Sequence, residues 1–177
     1  MHRKLIILTL MLMGLNAQAD KRVTGLLEQA HQYMKAYSDW NIDAMSAMHH
    51  EAIQFNDPTA TEAFKRSFAK QGKQEVADFL KGIFAEQRPE YSVFKISQHF
   101  VSGDHVVIQS TFESLLPKNW YGERAIGPVL VAIPITTILV FEGDKIISHT
   151  DYADYHSYQQ QVGLQLAPAT EKPATDQ

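Results

Sequence analysis

The sequence predicts an α+β domain in which three or four helices pack against an antiparallel sheet, and three observations carry that reading. Apolar residues recur at helical spacing through Val23–Tyr37 and again from Gln74. From Tyr91 the period changes to two, as in strands with one buried face. Two glycine-led turns, Gly103-Asp104 and Gly143-Asp144, join those strands as hairpins.

The chain opens with a charged start (His2, Arg3, Lys4), an apolar run Leu5–Leu15 too short to span a bilayer, and the small-residue site Ala17-Gln18-Ala19. This pattern predicts a signal peptide over residues 1–19, cleavage before Asp20, and a periplasmic or secreted mature protein with no membrane attachment afterwards. Without Arg3 and Lys4 the balance is 14 basic to 20 acidic residues, with no basic patch, so a nucleic-acid partner is not expected. The absence of cysteine excludes disulfides, thiolate nucleophiles and Cys-ligated zinc. Residues 20–162 suffice for one domain, and the Pro-, Ala- and Thr-rich tail 163–177 is expected to be disordered.

In chain order, Val23, Leu26, Leu27, Ala30, Met34 and Tyr37 define the first helix, with Tyr33 on or beside its apolar stripe. A short second helix, capped by Asn41 or Asp43, is expected to carry His49 and His50 in its last turn. Ile53–Phe55 reads as a strand, stopped by Asn56-Asp57-Pro58, which leaves Asp57 as a carboxylate at a strand end. Ala60, Phe64 and Phe68 suggest a helix over Thr59–Lys70, capped by Thr59 or Thr61 and covering the open end of a cavity. Val76, Phe79, Leu80, Ile83 and Phe84 line one face of a helix over Gln74–Glu86. Two strand hairpins follow, the last from Val129–Glu142 to Lys145–Tyr155, with Pro134 at a bulge or an edge. Between them the loop Pro117–Pro128, containing Trp120, is long enough for a rim or lid, or is an ordinary surface insertion.

The long helix, the SDWNIDAM turn, the strand ending FNDP, the GKQEVADFL helix and the final GDKI…DYAD hairpin together resemble the nuclear-transport-factor-two-like superfamily, in its SnoaL-like and ketosteroid-isomerase-like branch. The resemblance spans Val23 to Tyr158 and implies a curved sheet and helices forming a cone around an internal cavity. That scaffold hosts isomerases, cyclases, dehydratases, hydrolases and binding modules, so fold alone does not give function. In the isomerase-like pattern an oxyanion-donating tyrosine and a proton-shuttling aspartate fall on Tyr33 and Asp57, 24 residues apart. Ketosteroid isomerase also uses a protonated carboxylic acid as a second donor, and its place falls here on Thr137, a weaker acid. The stretch around Asp151 resembles the epoxide-hydrolase-like branch, whose Arg and Asp on an earlier strand are replaced by Ser110 and Phe112. In SnoaL-like cyclases a single aspartate near the place of Asp151 serves as acid and base.

Asp57, Tyr33 and Asp151 are therefore the catalytic candidates, and Phe55, Trp120, Thr137 and His149 the ligand-binding ones. His149 and Asp151 share a strand face at i, i+2. Adjacent histidines on a helix diverge by about 100°, so no metal site is expected, and no cofactor is implied. The expected function is binding of a small apolar molecule, with acid–base isomerisation, cyclisation or dehydration as its chemistry. A non-catalytic ligand- or protein-binding module is the alternative reading. Tyr33 and Asp57 each have a structural one, as a core aromatic and a helix cap. The apolar alternation of Val129–Val140 leaves one sheet face to cover, which predicts a homodimer.

Overall fold

The computed structural model describes residues 2–83 and 88–167. Helix α1 (His2–Ser38) runs through the expected leader into the domain. It ends at a tight turn in which Trp40 adopts φ 51°. Asn41 then caps α2 (Ile42–Met48) by accepting from the Ala44 N–H at 3.0 Å, as the sequence suggests.

The two histidines do not close α2. His49 begins β1 (His49–Asn56), because the Met48 stripe ends there and the β-capable run through Ile53 and Phe55 takes over. This correction matters, since successive strand residues face opposite ways: His49 is buried while His50 turns toward Glu142 at 3.5 Å.

The expected helix over Thr59–Lys70 is shorter and differently capped. Asp57, not either threonine, caps α3 (Pro58–Phe64), with Pro58 at the position that tolerates a missing N–H. Lys65 ends α3 in the left-handed region at φ 54°. Residues Ala69–Gln71 then form β2 against β1, a three-residue strand too short to show a period. Helix α4 (Lys73–Ile83) buries Val76, Ala77 and Leu80. Phe84 and the expected helix end at Glu86 lie outside the described residues.

Strands β3 (Tyr91–Ser102) and β4 (His105–Leu116) pair about Gly103 at φ 60°, and β5 (Val129–Glu142) and β6 (Lys145–Ala153) about Gly143 at φ 64°. Both are two-residue turns whose first residue must take positive φ, which glycine does without a Cβ clash. The sheet order is β2-β1-β6-β5-β4-β3. All neighbours are antiparallel except β1 and β6, which run parallel. Register shifts between Ile96 and Gln98 and between Val140 and Phe141 bend the sheet, as bulges do. The result is the expected α+β architecture, with its curved sheet wrapped about α1, α2 and α4. Every odd-numbered β5 residue from Val129 to Phe141 is buried on the inner face.

The last strand stops at Ala153, two residues earlier than expected, because Asp154 turns to cap a fifth helix, α5 (Tyr155–Gln165). Its carboxylate accepts from the Ser157 N–H at 2.9 Å and the Ser157 hydroxyl at 2.6 Å. The ordered chain thus continues past Val162, and Leu166 bridges to Ala125; residues 168–177 of the expected tail lie outside the described residues. Helix α5 covers the part of β5 that β6 does not reach. The Gln161 carboxamide accepts from and donates to the Ala132 backbone at 2.8 and 2.9 Å, and Gln165 does the same for Leu130 at 3.0 and 2.7 Å. Pro134 sits where this uncovered edge begins, accepting from the Asp154 N–H at 3.0 Å, so its missing N–H costs no ladder bond.

Candidate functional site

Three strands and one helix bring a set of polar side chains to the inner face of the sheet. Tyr33 and Tyr37, one helical turn apart on α1, point at β6, where His149 and Asp151 share the same face. Asp151 pairs in register with Thr137 on β5, and His149 with Phe55 on β1. Tyr33, Thr137 and His149 have no exposed surface and Asp151 has 1%.

The contacts are continuous. Asp151 accepts from the Thr137 hydroxyl at 2.5 Å and the Tyr37 hydroxyl at 3.2 Å, one on each carboxylate oxygen. The Nε2 of His149 lies 3.0 Å from Asp151 Oδ2, within ion-pair distance but off the line of a good hydrogen bond. On its other side His149 meets Tyr33, Nδ1 to hydroxyl, at 2.8 Å, and the same hydroxyl meets His49 Nε2 at 3.0 Å. Aromatic rings of Phe55 and Tyr37 close edge-on over the His149 imidazole, with centroids 4.9 and 5.3 Å away.

Burial dominates the electrostatics. It pushes the phenols of Tyr33 and Tyr37 well above their ordinary range, and the Asp151 charge pushes them further, so both remain hydrogen-bond donors. His49 is depressed to about 4, first by burial and then by His149 and Lys73.

Asp57 occupies a neighbouring place rather than the same one. One oxygen takes the Ala60 N–H and the Thr59 hydroxyl, both at 2.7 Å, and the other takes the Tyr155 hydroxyl at 2.7 Å. Burial raises its pKa, the three hydrogen bonds pull it back, and the Asp151 charge raises it again. Its observed work is that of a helix cap and a tie to α5. Thr59 extends the tie by accepting from the Ala153 N–H at 2.9 Å.

The structure thus gathers Tyr33, Phe55, Thr137, His149 and Asp151 into one cluster, sets Asp57 beside it, and leaves Trp120 37% exposed on a 3₁₀ turn (Lys118–Trp120) outside it. Neither of two surface recesses, near Trp40 and Lys81 and near Gln109 and Tyr152, is lined by any of the gathered residues. Sequence reasoning missed His49, Tyr37 and Tyr155 as members of the site. Tyr37 was signalled by its i, i+4 spacing from Tyr33; His49 was hidden by its assignment to a helix, and Tyr155 by its assignment to a strand. Among the described residues no group of three or more His, Asp or Glu side chains is arranged to hold a metal ion.

A profile of the SnoaL-like domain matches residues 30–149, which include every member of the cluster except Asp151. The chain belongs to the SnoaL-like domain family. No curated protein matches it. Among solved structures, this SnoaL-like chain is similar to a proposed SnoaL-like polyketide cyclase from Shewanella putrefaciens, with 23% identity over 79% of this chain and 97% of the other and a TM-score of 0.67. A Catenulispora acidiphila protein of ketosteroid-isomerase-like fold, solved with trimethylamine, shares 21% identity over 82% and 98% of the chains, with a TM-score of 0.61. TerC, crystallised with polyporic acid, shares 13% over 78% and 98%, with a TM-score of 0.62. At these identities the likeness establishes the nuclear-transport-factor-two-like fold.

Proposed function

We propose that this SnoaL-like domain binds a small apolar molecule against the inner face of its sheet and uses Asp151 as the acid–base group for isomerisation, cyclisation or dehydration. The observation that carries the reading is the environment of Asp151: a buried carboxylate that faces two hydroxyl donors and an imidazole rather than a lysine or arginine. A carboxylate so held accepts a proton from carbon and returns it, while the Tyr37 hydroxyl beside it supplies a hydrogen bond to a developing enolate. Asp57 is the lesser candidate, since both of its oxygens serve the α3 cap and the Tyr155 tie.

The polyporic acid with which TerC was co-crystallised supports an aromatic, oxygen-bearing ligand class. Access requires side-chain movement, because Asp151 is 1% exposed. The half-buried Tyr155, bonded to Asp57 and in contact with the exposed ring of Phe64 at 5.2 Å, is the gate on this reading.

A panel of aromatic ketones and enones, screened by binding and by deuterium exchange at the carbon next to the carbonyl, tests the proposal. Binding with exchange that vanishes in Asp151→Asn supports an enzyme. Binding without exchange supports the non-catalytic module, which the hydrogen bonding of Tyr33 to His149 and of Thr137 and Tyr37 to Asp151 in a buried interior also favours. Export with cleavage before Asp20, and a homodimer formed through the outer sheet face where Leu130 and Tyr152 are about half exposed, complete the proposal.

A further inference from the structure

Tyr33 has one proton and two imidazole neighbours, so its hydroxyl donates to one of them and accepts from the other. Which way it points decides where every proton of the cluster sits. If it donated to His49, the His49 proton would lie on Nδ1, a buried atom with no hydrogen-bond partner among the described residues. His149 would then donate from Nδ1, and a neutral ring would present its Nε2 lone pair to the Asp151 carboxylate 3.0 Å away. That arrangement strands a buried N–H and sets a lone pair against an anion. The opposite direction replaces the lone pair with an N–H facing the anion; that His149 Nε2–H lies off the hydrogen-bond line but 3.0 Å from the Asp151 carboxylate, whose charge attracts it. His49 donates from Nε2 to the Tyr33 oxygen, Tyr33 donates to His149 Nδ1, and His149 turns an N–H toward Asp151; the atom left over is a lone pair on His49 Nδ1, and orphaned acceptors are better tolerated than orphaned N–H groups.

We infer that Tyr33 is a positioning residue whose hydroxyl, oriented by His49, fixes His149 as the Nε2–H tautomer and so turns an N–H, not a lone pair, toward the Asp151 carboxylate. This rests on Asp151 being the acid–base group proposed above. It also gives Tyr33 a role that its likeness to an oxyanion-donating tyrosine does not: it acts through His149 rather than on the ligand. His49, a strand residue 16 positions away, belongs to the site for the same reason.

Two-bond nitrogen–proton correlation spectra of the labelled full chain at neutral pH read the tautomers directly. The expected result is a single Nε2–H pattern for both His49 and His149. His49→Gln keeps a side-chain N–H donor toward Tyr33 and leaves the His149 pattern unchanged; Tyr33→Phe removes the donor to Nδ1 and the single-tautomer pattern of His149 is lost, with about a tenfold fall in carbon proton exchange, the low end of what one positioned group contributes. A wild-type His149 carrying its proton on Nδ1, or on both nitrogens, overturns the inference, and so does a Tyr33→Phe protein with the wild-type pattern. Should Tyr33→Phe fail to fold, the wild-type and His49→Gln spectra decide. These spectra do not depend on turnover, so a wrong tautomer sinks this inference alone, whereas an Asp151→Asn protein that still exchanges protons sinks the reading beneath it.

Discussion

Thr137 and Asp151 face each other across two antiparallel strands, and the threonine hydroxyl reaches the carboxylate at 2.5 Å with neither side chain more than 1% exposed. A cross-strand pair of this kind is usually apolar at the centre of a sheet. Here it places a charge-bearing group where hydration is lost, and its donors must come from the protein. Thr137→Val keeps the shape and removes the donor. The expected cost is about 1–3 kcal/mol of stability, the scale for leaving a buried polar group short of a partner. Urea unfolding measures it, and Thr137→Ser should recover most of the loss.

The depressed His49 makes stability depend on pH with a definite sign. Its folded pKa is about 4 against an ordinary 6.5, so between those values the unfolded chain binds more protons than the folded one. The contribution of a neutral His49 is therefore full above pH 6.5 and is lost as pH falls toward 4. By linkage the span is on the order of 3 kcal/mol. His49→Gln, which does not titrate, should lose less stability than wild type over the same interval in chemical denaturation series.

Asp57 gives the opposite sign. Its raised pKa means that the folded state holds the proton more firmly, so its favourable contribution is present at low pH and is lost as pH rises through the folded value. Asn caps a helix as well as Asp does, so Asp57→Asn should fold normally and compare best with wild type at neutral pH. Asp57→Ala removes the cap and should cost about 1–2 kcal/mol. Thermal melts at two pH values check both statements.

The glutamine pair on α5 predicts an aggregation phenotype. Gln161 and Gln165 satisfy the backbone of Ala132 and Leu130, which would otherwise present an open strand edge beside the half-exposed Leu130. Gln161→Ala with Gln165→Ala should uncover that edge, and light scattering should then record concentration-dependent association beyond that of the wild type.

Much of this architecture was legible because periods are physical. The i, i+4 tyrosines of α1 and the i, i+2 pair His149 and Asp151 on β6 meet because helices and strands turn those spacings into shared faces. His49 was not legible, since one residue decides between the end of a helix and the start of a strand, and only in the strand does its ring reach Tyr33. Helix α5 escaped for another reason: its glutamines bind a strand edge through hydrogen bonds, so it has no apolar stripe to reveal it. The three-residue β2 and the parallel pairing of β1 with β6 depend on where the chain goes next, which local pattern does not encode.

Export is tested by the intact mass of the protein recovered from its native host. A mature chain beginning at Asp20 is expected, and recovery with Met1 still attached contradicts it.

The role of Asp151 is tested most directly by carbon proton exchange on a bound aromatic ketone or enone, compared between wild type and Asp151→Asn. Loss of exchange by about two or more orders of magnitude, the usual scale for removing a general base, with ligand binding retained, is the predicted result. Exchange at the wild-type rate in a folded, ligand-binding Asp151→Asn protein would contradict it.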